Sequence, residues 1–66
     1  MIEVFSTYDP GTIAVIKSVL EGEGIPYFFS GENVSLMIAA GAYARLMVPD
    51  DQAERVRDIL RELGFL

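Results

Sequence analysis

The stretch "EGEGIPYFFSG", residues 21 to 31, places two glycines and a proline directly ahead of three consecutive aromatic residues. Gly24 suits the left-handed position just past a helix end. Ile25 then folds back on Leu20 as the hydrophobic contact of a Schellman stop, and Pro26 blocks further winding. Residues 21–26 are therefore punctuation between a helix and a strand. Residues 27–30, Tyr27-Phe28-Phe29-Ser30, form that strand. Neighbouring side chains leave a strand on opposite faces, so an aromatic stands on each side whatever the register.

Upstream of this stop, Ile2-Glu3-Val4-Phe5-Ser6-Thr7 is rich in β-branched and aromatic residues and partly alternates, which predicts a strand. Strict alternation puts Ile2 and Val4 on one face and Glu3, Phe5 and Thr7 on the other. Asp9 and Pro10 have the chemistry of a helix start, an N-cap acceptor followed by a residue with no amide hydrogen to satisfy. Ile13, Ile16 and Leu20 follow at helical spacing, with Val15 and Val19 widening the apolar stripe.

Downstream, residues 31–42 (GENVSLMIAAGA) are the least regular part. Gly31 and Gly41 bracket an apolar run containing Met37 and Ile38, expected as a helical turn or a covering loop. Residues 43–48 alternate cleanly, with Ala44, Leu46 and Val48 on one face and Tyr43, Arg45 and Met47 on the other. Pro49 ends that strand. Asp50 and Asp51 then read as N-caps of a last helix, and Asp51 with Glu54 has the capping-box spacing. Ala53, Val56, Leu60 and Leu63 make its buried stripe beside Ile59, and Asp51–Arg55 is an i,i+4 ion pair. Gly64 and Phe65 repeat the stop, with Phe65 placed to touch Leu60. No internal repeat, linker or low-complexity tract is visible in the sequence.

The order is β-α-β-β-α over a single domain, residues 1–66. A right-handed βαβ crossover leaves a gap between strands 1 and 2, which strand 3 fills antiparallel to both. The expected fold is α+β, a ferredoxin-like split β-α-β without its fourth strand. Its three-stranded antiparallel sheet has order 1-3-2, and both helices lie on one face. Glu3 and Arg45 become expected cross-strand neighbours on the other face.

Sixty-six residues bury only about 60% of the surface that an unfolded chain exposes. The sequence has no Cys and no His, so neither disulfides nor a Cys/His zinc site can reinforce it. Yet the chain is 52% hydrophobic with a mean hydropathy of +0.35, and apolar side chains must reach its surface. Two helices cover one side of the sheet only. The candidate interface therefore comprises Phe5, Tyr27, Phe28, Phe29, Met37, Ile38, Tyr43, Arg45 and Met47, in which an aromatic on the helix-free face calls for a partner. A homo-oligomer is expected, a dimer before a trimer. Net charge is −5, and three of the five basic residues (Arg55, Arg57, Arg61) sit among acids, so nucleic acid and anionic membranes are excluded as partners. The N-terminus lacks a basic segment leading into an apolar core, which points to the cytoplasm.

Three runs carry a resemblance over nearly the whole chain: Tyr8-Asp9-Pro10 leading to Ile16-Lys17-Ser18-Val19-Leu20-Glu21, then Glu23-Gly24-Ile25-Pro26, then Val48-Pro49-Asp50-Asp51-Gln52-Ala53-Glu54. Together they resemble the small bacterial family called "putative prokaryotic signal-transducing protein", formerly a domain of unknown function. The resemblance implies a ferredoxin-like fold, similar in shape to the nitrogen-regulatory PII signal proteins, whose trimers are the alternative assembly. It transfers no catalytic or ligand residue, and the long effector-binding loop of PII has no counterpart here.

Chemistry is sparse. Without His or Cys the commonest acid–base group and the thiol nucleophile are missing, and the serines have no histidine partner. Lys17, the single lysine, sits mid-helix on the polar side. Asp9, Asp50 and Asp51 are accounted for as caps rather than metal ligands. Gly22-Glu23-Gly24 lies at a helix C-terminus, where the dipole and two glutamates repel phosphate. No catalytic residue, metal site or cofactor is expected. The expected function is a non-enzymatic regulatory module that self-associates and binds a protein. The alternative is a small-ligand sensor with a pocket between subunits near Arg45 and residues 31–42.

Overall fold

The computed structural model describes residues 1–31 and 44–66 of the chain. Strand β1 (Ile2–Thr7) leads into helix α1 (Pro10–Glu23), followed by β2 (Phe28–Ser30), β3 (Ala44–Val48) and helix α2 (Ala53–Glu62). The sheet has order β1-β3-β2, and β3 pairs antiparallel with both neighbours. This is the α+β, ferredoxin-like split β-α-β with three strands. Met37, Ile38 and Tyr43, and with them the expected turn or loop between β2 and β3, lie outside the described residues.

Helix α1 is bounded as its sequence demands. The Asp9 carboxylate accepts from the Thr12 backbone amide (3.0 Å) and from the Thr12 hydroxyl (2.6 Å), and Pro10 occupies the first helical position. At the other end Gly24 adopts φ 71°, the left-handed region. Its amide donates to the Glu21 carbonyl and the Ile25 amide to the Leu20 carbonyl at 3.0 Å, the two bonds that define a Schellman stop. Gly64 does the same after α2 at φ 85°, with the Phe65 amide donating to the Leu60 carbonyl at 2.9 Å.

The two helices thus follow one plan forty residues apart, although the sequence shows no repeat. Ile13, Ile16 and Leu20 are buried on α1, as Ala53, Val56 and Leu60 are on α2. Ile25 and Phe65 close the two stops, the first buried and the second half-buried. All of these side chains pack on one face of the sheet against Phe29, Ala44, Leu46 and Val48. Both helices therefore cover the same side.

The entry to α2 differs from expectation. A single 3-10 turn (Asp50–Gln52) precedes the helix, and the Gln52 amide donates to the Pro49 carbonyl at 2.9 Å. The backbone satisfies the turn by itself, and no side chain caps it or the helix that follows. Asp50 and Asp51 are not side-chain N-caps, and Arg55 pairs with Glu23 of α1 rather than with Asp51.

Strand β1 carries the other correction. Its register against β3 runs Ile2–Val48 and Glu3–Met47, then shifts by one residue so that Phe5 stands opposite Leu46. The extra residue is Val4, a β-bulge. It rotates Phe5 to the helix side, where Phe5 and Val4 both pack on the core and the Phe5 ring lies 6.0 Å from that of Phe65. Phe5 does not look out from the helix-free face as alternation predicted.

Candidate functional site

The helix-free face of the sheet is the candidate site, because neither helix covers it and all three strands contribute side chains to it. The registers order them into two rows across the sheet. One row is Glu3–Met47–Phe28 and the other is Ser6–Arg45–Ser30. Phe28 is 49% exposed, Met47 is half-buried, and Glu3, Ser6 and Arg45 are exposed. An apolar pair thus adjoins a cation flanked by two hydroxyl residues.

The aromatic run separates by face. Phe29 is buried in the core, opposite Leu46. Tyr27 precedes β2 and packs on the same side, edge-on to Phe29 with centroids 6.1 Å apart, while its hydroxyl donates to the Glu21 carboxylate. Phe28 alone of the three turns outward. The structure brings together Phe28, Arg45 and Met47 of the expected interface set, and removes Phe5, Tyr27 and Phe29 to the helix side.

Ser6 and Ser30 were not expected beside Arg45. Ser30 follows from the β2–β3 register. Ser6 follows from the bulge, which substitutes it for Phe5 opposite Arg45 and makes the face more polar. The sequence does hold a signal, since Val4-Phe5 places two large apolar residues side by side in an otherwise alternating strand. Glu3 and Arg45 are diagonal rather than directly opposed.

Electrostatically, several charged groups at or near the helices are engaged. Arg55 of α2 pairs with Glu23 of α1, Arg61 with Asp58 at 2.6 Å, and the N-terminal amine with Asp50 at 3.8 Å. Among the described residues neither Glu3 nor Arg45 joins an ion pair. Asp9 has its carboxyl held below the usual carboxylate range, first by the Thr12 hydroxyl and then by the Thr12 amide. That shift belongs to a helix cap and not to this face. No group of three or more metal-ligating side chains occurs among the described residues, and none of their helices is long and apolar enough to cross a membrane.

A family model described as "Putative prokaryotic signal transducing protein" matches residues 1–64, and the chain belongs to that family. No curated protein and no solved structure matches the chain.

Proposed function

We propose that this chain is a non-enzymatic regulatory module of the bacterial cytoplasm, acting through self-association and through binding of a protein partner. The observation that supports it is the exposed Phe28 beside Met47 on a sheet face that neither helix covers. Fully burying an exposed phenylalanine or methionine contributes roughly 1.5–3 kcal/mol by the area rule, and Phe28 and Met47, already part-buried, contribute less than that. The family description, signal transduction, agrees with a role exercised by contact rather than by turnover.

Light scattering across a concentration series into the high micromolar range tests the proposal. Dimers are expected for the unmodified chain, and monomers when Phe28 and Met47 are both replaced by lysine. A monomer for the unmodified chain at the highest concentration overturns self-association. A second reading, the small-ligand sensor near Arg45 and residues 31–42, draws support from the Ser6–Arg45–Ser30 row, which offers hydrogen-bond donors to an anion. A rise in melting temperature with added phosphate that is lost in Arg45→Gln supports that reading.

A further inference from the structure

The helix-free face is complementary to itself, and the geometry points to a twofold dimer in which Glu3 of each copy pairs with Arg45 of the other. This deepens the self-association proposed above and rests on it.

A twofold interface brings residue i of one copy to residue j of its partner and j to i, so an ion pair across it needs opposite charges at two separated points of the same face. Glu3 and Arg45 meet that requirement. They lie on the same face, with one residue pair (Phe5–Leu46) between them along the ladder and one strand apart across it, a diagonal of about 7–8 Å. Neither is in an ion pair within its own chain among the described residues.

A second copy, turned by 180° about an axis that lies between the two faces and bisects the Glu3–Arg45 line, exchanges the two charges. On ideal strand spacings of about 4.8 Å across and about 6.8 Å between alternate residues along a strand, that axis passes close to both Met47 and Phe28. Each of these apolar side chains then meets its own counterpart, with an ion pair on either side of the axis. Met47 and Phe28 meet on one side of the two ion pairs and Ser6 meets its counterpart on the other, while Ser30 lies towards the rim. A patch of six side chains on three strands is small beside the ~800 Å² per partner of a standard interface, so the dimer is a weak one that responds to single charges.

The net charge of −5 per chain opposes any self-association, and salt relieves this repulsion while also screening the pairs. Charge exchange isolates the pairs where salt titration cannot. Glu3→Arg changes the net charge from −5 to −3 and should weaken general repulsion, yet it sets arginine against arginine twice in the dimer. Arg45→Glu sets glutamate against glutamate twice. Mixing the two variants makes a heterodimer with two correct pairs, and the double variant Glu3→Arg/Arg45→Glu restores both pairs at the original net charge.

Sedimentation equilibrium of all four proteins and of the equimolar mixture, with circular dichroism to verify folding, is the test. At least tenfold weaker self-association is expected for each single variant, with recovery in the mixture and in the double variant. Single variants that dimerise like the unmodified chain, or that lose dimerisation without recovery on mixing, overturn the pairing and leave self-association standing. An unmodified chain that remains monomeric overturns both.

Discussion

Phe5 stands opposite Leu46 on the helix side of the sheet, one residue out of step with strict alternation, and its ring meets that of Phe65 at the far end of the chain. The contact joins the first strand to the residue that closes the last helix. Phe5→Ala is expected to destabilise the fold by about 2–3 kcal/mol, below the range of a fully buried Phe because Phe5 is half-buried. Phe28→Ala, on the outer face, should cost less than about 1 kcal/mol in dilute protein. Urea unfolding of both variants checks the contrast, and equal costs would place the two rings on one face.

The glycines make a second contrast. Gly24 and Gly64 are left-handed, and a Cβ at either meets nothing within 4 Å, so the cost of alanine is that of the backbone alone. Each change to Ala should cost about 1 kcal/mol, and Asn less. Gly22, within α1 and with the same open space, should respond oppositely, Gly22→Ala stabilising by about 0.4–1 kcal/mol. Thermal melts of the three alanine variants give the signs directly.

Asp9 links stability to acid. Its folded carboxyl titrates below its unfolded range because Thr12 hydrogen-bonds the charged form. Its contribution is therefore complete above the unfolded value and is lost as pH falls through the folded one. Asp9→Asn keeps a capping oxygen and should flatten the loss of stability that this group causes as pH falls through and below the ordinary Asp range. Urea midpoints across that range for both proteins are the measurement; parallel curves would mean that the Thr12 contacts do not favour the carboxylate.

The pair between Arg55 and Glu23 bridges the two helices, but both side chains are substantially exposed. Glu23→Gln is expected to change stability by less than about 1 kcal/mol. A larger loss in urea unfolding would show that helix docking depends on this pair.

Element order, strand order and both helix stops were legible because each is encoded within a few residues. Leu20 with Gly24 and Ile25, and Asp9 with Pro10 and Thr12, specify their geometry locally. The bulge at Val4 was signalled only by the adjacent apolar pair Val4-Phe5, which strict alternation overrode; the Phe65 ring that Phe5 meets lies at the far end of the chain. Its effect reached the candidate site, where Ser6 replaced Phe5 beside Arg45 and the face lost one of its expected apolar side chains. The start of α2 misled for a different reason: Asp51 and Glu54 have capping spacing, but a 3-10 turn satisfies the amides first. Met47 was correctly placed because β3 alternates regularly, whereas which aromatic faces outward was left open by the sequence and follows from the β2–β3 register, which turns Phe28 out.

The central position of β3 also sets a timetable for the chain as it leaves the ribosome. Strands β1 and β2 never touch one another, so residues 1–31 contain two strands and no ladder to join them. At about 5–20 residues per second, roughly 2–7 s separate the synthesis of β1 from that of β3. Over that interval α1 is the only helix among the described residues, and a helix of 14 residues is marginal alone in water. The two outer strands therefore wait unpaired, and the sheet cannot close until its middle strand is made.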